Sequence, residues 1–94
     1  MIFAINNLKY DTDKMDLISE KCEYSYASAL FNMQLRYLGR DVKLWRSKNN
    51  RWLLTYNKDF NTVGKSLTEE EAKNLLIKYD LNKYEEIFGG LEEA

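Results

Sequence analysis

Two runs of alternating apolar and polar residues, Val42 to Ser47 and Arg51 to Tyr56, flank a pair of asparagines, and no other stretch limits the possible folds as tightly. Side chains two apart share a face of a strand, so two such runs around a turn-prone link specify an antiparallel hairpin. Asn49 and Asn50 both tolerate the positive φ of a type I′ turn. A two-residue loop there sets Lys48 opposite Arg51, Ser47 opposite Trp52, Arg46 opposite Leu53, Trp45 opposite Leu54 and Lys43 opposite Tyr56. In that register Trp45, Trp52, Leu54 and Tyr56 share a face with Lys43 and Ser47, while Val42, Leu44, Leu53, Arg46, Lys48, Arg51 and Thr55 share the other. The ringed face is expected to be core, because each aromatic side chain can bury about 150–250 Å². The half-aliphatic, half-cationic face is left for a partner.

Charge sharpens this division. Arg36 to Lys58 holds seven basic residues and one acid, Asp41, within a chain whose total is −1. A cationic β segment thus sits inside an otherwise acidic molecule, a layout suited to recognising another surface. The 94 residues allow one core, so residues 1–94 are expected to form one domain, with an acidic tail at about 90–94 that frays.

The composition also limits the chemistry. With no histidine and one cysteine, Cys22, neither a Ser-His nor a Cys-His pair nor a zinc site of the usual ligands can be built. Gly64-Lys65-Ser66 resembles the end of a phosphate loop, but Asp59 stands where that motif needs glycine. Asp11, Asp13 and Asp16 are the carboxylates that could serve a catalytic or ligand role, and helix capping accounts for at least two of them. The reading is therefore no enzyme and no cofactor. The longest apolar run after Met1, Ile2 to Ile5, is too short for a signal core or a membrane span, so a cytoplasmic protein without membrane contact is expected.

The remaining pattern predicts α+β architecture: a small antiparallel sheet built on the hairpin at about 42–56, with two to three helices packed on one face. Ile2 to Tyr10 reads as a short strand or hairpin turning at Asn6-Asn7. Asp11-Thr12-Asp13 reads as the start of a helix running to about Lys21, with Met15, Ile18 and Cys22 on one face. Glu23 to Ser28 reads as loop or irregular strand, and Ala29 to Leu38 as a strand, since Phe31, Met33, Leu35 and Tyr37 alternate. Asn57 to Lys65 reads as a polar loop. Thr68 to Glu71 is a capping box ahead of a helix with Ala72, Leu75, Leu76 and Tyr79 in one stripe. Asn82 to Glu85 repeats the capping pattern for a last helix that carries Tyr84, Ile87 and Phe88 and stops at Gly89-Gly90.

Tyr10-Asp11-Thr12-Asp13-Lys14, Leu44-Trp45-Arg46-Ser47-Lys48, Leu67-Thr68-Glu69-Glu70-Glu71-Ala72 and Tyr84-Glu85-Glu86-Ile87-Phe88-Gly89 occur in this order. Together they resemble a family of small bacterial and phage proteins of uncharacterised function. Asn50 departs from the glycine usual there, and the Gly-rich loop after the hairpin is reduced to residues 57–65. The resemblance implies a mobile-element protein of host-defence evasion, such as a stoichiometric, anti-CRISPR-like inhibitor that binds a host protein or ribonucleoprotein complex. The contacts expected are Leu44, Arg46, Lys48, Arg51 and Leu53 on the hairpin and Glu69, Glu70 and Glu71 at the acidic helix start. The alternative is a small RNA- or DNA-binding domain using the basic hairpin.

Overall fold

Strand β1 (Ile2–Ile5) turns through Asn6 and Asn7, at φ 52° and 64°, into β2 (Leu8–Asp11). The pair supplies the two left-handed residues that a type I′ hairpin needs. The computed structural model describes residues 1–30 and 33–94. Along the described residues follow β3 (Asp16–Ser19), β4 (Ser25–Leu30), β5 (Met33–Leu38), β6 (Arg40–Arg46), β7 (Trp52–Lys58), β8 (Asn61–Leu67), α1 (Glu69–Tyr79) and α2 (Leu81–Phe88). The class is α+β with antiparallel sheets and two helices. The main sheet has the order β3-β6-β7-β8, while β1-β2 and β4-β5 form separate two-stranded ribbons.

The helix expected to start at Asp11-Thr12-Asp13 and run to about Lys21 is not formed. Asp11 Oδ1 accepts the Asp13 amide at 3.1 Å, and the turn closes after one 3₁₀ cycle, Thr12–Lys14. An Asx cap nucleates one turn as readily as a helix, so the local signal does not fix the length. Beyond it the chain extends as β3 and pairs with β6, and Ile18 and Cys22 reach the core from there. The expected loop at 57–65 is likewise a strand: β8 pairs with β7 from Trp52↔Leu67 to Lys58↔Asn61, turning through Asp59 at φ 57°. Its polar residues are those of an edge strand, where charge discourages further pairing. Strand begins at Ser25, within the segment read as loop or irregular strand. Where a single strand was expected from Ala29 to Leu38, the described residues belong to two antiparallel strands, β4 ending at Leu30 and β5 beginning at Met33. Phe31, part of that alternation, lies outside the described residues.

The central hairpin exists, but one residue out of the expected register. Arg46 pairs with Trp52, Trp45 with Leu53 and Leu44 with Leu54. The loop holds three residues, Lys48 to Asn50, closed by Ser47 N–H donating to the Arg51 carbonyl at 2.8 Å. Only Asn50 has positive φ, 58°. A turn followed by a single left-handed residue is the usual three-residue hairpin. A slip of one residue inverts every side chain of one strand relative to the other. Leu44 and Arg46 therefore share a face with Trp52, Leu54 and Tyr56, while Trp45 lies on the opposite face and donates from Nε1 to Thr55 Oγ1 at 2.9 Å.

Both faces of the sheet are covered. On one, Val42, Leu44, Trp52, Leu54 and Tyr56 pack with Ile18, Cys22, Ala72 and Leu76. The expected stripe of α1 supplies Ala72 and Leu76, and Thr68 and Glu71 form the capping box with both bonds at 3.1 Å. On the other face lie Leu53 and Thr55, both buried, beneath the β1-β2 ribbon. The Phe3 ring rests on Gly64, where an added Cβ would stand 2.7 Å from the ring. The radius of gyration, 14.5 Å, exceeds the value of about 12 Å for a compact chain of this length. The β4-β5 ribbon, outside the main sheet, accords with that elongation.

The cap of α2 also differs from expectation. Asp80, not Asn82, holds the N-cap position, and its carboxylate makes no cap bond. It accepts instead from the Ser19 hydroxyl at 2.7 Å, in a buried contact tying the helix junction to β3. Gly89, at φ 94°, ends the helix and donates its N–H to the Glu85 carbonyl at 2.9 Å.

Candidate binding surfaces

The two ends of the main sheet differ in chemistry. At one end lie the β6-β7 turn and the row Arg46, Trp52, Leu67, beyond which α1 begins. The fold thus brings the expected hairpin and helix-start contacts to a common end. Lys48, Arg51, Glu69, Glu70 and Glu71 are exposed there and Arg46 is half-buried. Leu44 and Leu53 are not contacts: both are 0% exposed, and the slipped register puts them in opposite core layers.

The ring that lies beside Arg46 at this end is not open to a ligand. Trp52 is buried, with the Arg46 guanidinium 5.6 Å from its ring centre and Phe88 at 6.0 Å. Its Nε1 has no hydrogen-bond partner among the described residues. Nor do Arg46, Lys48 and Arg51 pair with the acidic helix start. The ion pairs among the described residues are Met1 N with Asp13 at 3.7 Å, Lys73 with Glu69 at 4.0 Å and Lys83 with Glu86 at 3.0 Å.

The three aspartates considered for chemistry do not converge. Asp11 caps the 3₁₀ turn, Asp13 faces the chain's amino group, and Asp16 stands opposite Arg46. Among the described residues no three His, Cys, Asp or Glu side chains gather as a metal site would require. Cys22 is buried near Ser19 and Asp80. Burial pushes its thiol up; Ser19 draws it down in part, and the Asp80 carboxylate adds to the rise. A thiol held protonated in this way is a poor nucleophile.

The opposite end carries two surfaces that the sequence did not announce. The first is the tip of the β7-β8 hairpin. Phe60 is fully exposed, at 103% of its reference area. The backbone beneath it is fixed: Arg40 Nη2 donates to the Asp59 carbonyl at 3.1 Å, Asn57 Nδ2 to Asp41 Oδ2 at 3.0 Å, and Thr62 Oγ1 to Asn57 Oδ1 at 2.9 Å. Asp41 and Asp59 both take positive φ to allow this, 49° and 57°.

The second lies on the α1 side of the sheet. Tyr24 and Tyr26 pack on Tyr56 with ring centres 4.7 and 5.8 Å away, and Tyr37 continues the series 5.8 Å from Tyr26. Lysines sit on these rings: Lys65 Nζ is 5.2 Å from Tyr24 and Lys58 Nζ 5.0 Å from Tyr26, while Lys78 Nζ is 5.2 Å from Tyr79 on α1. A hollow of about 310 Å³ lies between Tyr24 and Tyr79, lined also by Lys65, Lys78, Glu71 and Asn74. Burial, then the neighbouring Tyr24, pushes the Tyr56 phenol up, with Lys65 opposing. The signal for this surface was present as Tyr24 and Tyr26 two apart, but it acquires meaning only when β4 and β5 are known to pair.

No helix among the described residues is long and apolar enough to cross a membrane. Comparison with known proteins returned no family model, no curated protein and no solved structure similar to this chain.

Proposed function

We propose that this chain is a non-enzymatic protein-binding module whose anchor is Phe60. The supporting observation is the pairing of full exposure with a fixed backbone at the β7-β8 tip. Single exposed apolar side chains are ordinary on any protein surface. An aromatic presented on a hydrogen-bonded tip, with two left-handed residues beneath it, is different: the backbone that carries it is held before binding, which lowers the backbone entropy lost on association. Buried aromatic anchors are the side chains that dominate protein interfaces. Around Phe60 the charges balance, with Arg40 and Lys58 against Asp41 and Asp59. That mixture suits the polar rim of a protein pocket and offers little to phosphates or anionic lipid.

A standard interface needs about 800 Å² from each partner. The chain exposes 6997 Å², so an interface of that size would take a small share of its surface. The resemblance to mobile-element proteins supports a host protein or ribonucleoprotein as the partner, with stoichiometric inhibition of a nucleic-acid-directed defence enzyme as the consequence.

The test is affinity capture from host lysate with the wild-type chain and with Phe60→Ala, whose circular dichroism and Tm should be unchanged. A stoichiometric partner is expected on the wild type, with affinity for the purified partner reduced by about 2 kcal/mol or more in the variant. Equal retention by both proteins, or no stoichiometric partner at all, refutes the proposal.

A further inference from the structure

We propose that the tyrosine–lysine face on the α1 side of the sheet binds a single strand of nucleic acid. This goes beyond the protein-partner reading and does not rest on it, since Phe60 and the hydrogen bonds of the tip are not part of the face; Lys58, whose ammonium lies over Tyr26, is the one charge that both surfaces share. Non-specific recognition of single strands needs aromatic planes for the bases and cations along the backbone, on one surface. The basic turn fails that requirement because Trp52 is buried beneath Arg46. The opposite end comes nearer to it, with Tyr37 exposed and Tyr24, Tyr26 and Tyr79 half-buried rather than buried. Tyr79, Tyr24, Tyr26 and Tyr37 follow one another from α1 across the sheet to the β4-β5 ribbon. Lys78, Lys65 and Lys58 accompany the first three, each 5.0–5.2 Å from a ring centre.

The rings are positioned by the fold. Buried Tyr56 forms the floor on which Tyr24 and Tyr26 stack, and cross-strand pairing puts Tyr37 beside Tyr26. Tyr37 is the most open of the series, at 43% exposure. The hollow between Tyr24 and Tyr79 offers a planar group an entry with ammonium groups on its rim. Glu71 is the acid in that lining, against Lys65 and Lys78, so the hollow favours an anionic ligand. A duplex, whose bases are already stacked inside, has no use for these planes. The ligand class is therefore single-stranded DNA or RNA, held by stacking and phosphate contact without base-edge readout.

The test is fluorescence anisotropy with labelled oligo(dT) and oligo(rU) of about 12 nucleotides, inside the ~4–16-nucleotide range of comparable sites. Three lysine–phosphate contacts predict that log K falls with log salt at a slope of about −2, since each contributes about 0.7 on a single strand. Tyr37→Ala should weaken binding about 5- to 150-fold, the range of one base–aromatic stack, while Tyr37→Phe restores it. Lys58→Ala should reduce the slope by about 0.7. A duplex of the same length should compete poorly. Phe60→Ala should bind the oligonucleotides like wild type, which separates this result from the fate of the protein-partner reading. No anisotropy change at low salt overturns the proposal. So does competition by poly-glutamate as strong as that by oligo(dT), together with an unchanged affinity for Tyr37→Ala.

Discussion

Gly64→Ala tests how the second face of the sheet is covered. An added Cβ would stand 2.7 Å from Cδ1 and Cγ of Phe3 and 3.1 Å from Cε1, against about 3.5–4.0 Å for a relaxed carbon contact. The φ at Gly64 is not positive, so the penalty is one of space alone. Phe3 belongs to a ribbon tied by its own register, where it pairs with buried Tyr10, so its backbone is not free to carry the ring away. Overpacking of this kind costs about 1–3 kcal/mol. For a domain of this size that is a fall in Tm of about 4–8 °C for each kcal/mol. The clash needs the ring, so on a Phe3→Ala background the same substitution should cost nothing, or gain about 0.5 kcal/mol from the lower backbone freedom of alanine. The assay is urea denaturation of wild type, both single variants and the double variant, followed by circular dichroism. The expected result is a coupling of about 1–3 kcal/mol with an unchanged m-value. If Gly64→Ala is neutral, or adds to Phe3→Ala without coupling, the ribbon does not lie on β8 and Leu53 must be covered in some other way.

Ser19→Ala removes the donor to the buried Asp80 carboxylate and should cost about 1–3 kcal/mol in chemical denaturation, the penalty of an unsatisfied buried acceptor. Folding raises the pKa of Cys22 and of Tyr56 above the ordinary values of 9.0 and 10.0, chiefly by burial, so the folded state holds these protons more tightly than the unfolded chain. The stability that these two groups contribute is therefore expected to be fully present below their unfolded values and to fall as pH rises through those values and beyond. Cys22→Ala should abolish the part that begins near pH 9, as Tm measured against pH would show.

What could be read in advance follows from how local each signal is. The capping box at Thr68 to Glu71 is complete within four residues, and the Asn6-Asn7 turn within two, so both were legible. The hairpin at 42–56 was legible as a hairpin but not in register. Asn49-Asn50 fits a two-residue loop with two left-handed residues as well as a three-residue loop with one. The core chose the second, because it places Leu44 beside Leu54 under α1 and still buries Leu53 beneath the β1-β2 ribbon. Asp11-Thr12-Asp13 gave the start of a turn without its length, and pairing with β6 decided that the chain extends. The segment 57–65 looked like a loop because an edge strand carries loop-like residues. Neither candidate surface was readable, since Phe60 is unremarkable until Asp59 is seen to turn, and the tyrosines meet only through long-range pairing.

Every assignment of a side chain to a face rests on the three-residue turn, and nuclear Overhauser contacts across β6 and β7 test it most directly. Ser47 and Arg51 share a hydrogen bond, so the next pair, Arg46 and Trp52, and then Leu44 and Leu54, are close non-hydrogen-bonded pairs about 4.5 Å apart at Cα. Strong Hα–Hα contacts are predicted between Arg46 and Trp52 and between Leu44 and Leu54, with the Trp45 indole proton near the Thr55 side chain. Hα–Hα contacts from Arg46 to Leu53 or from Trp45 to Leu54 would contradict it and return both tryptophans to one face.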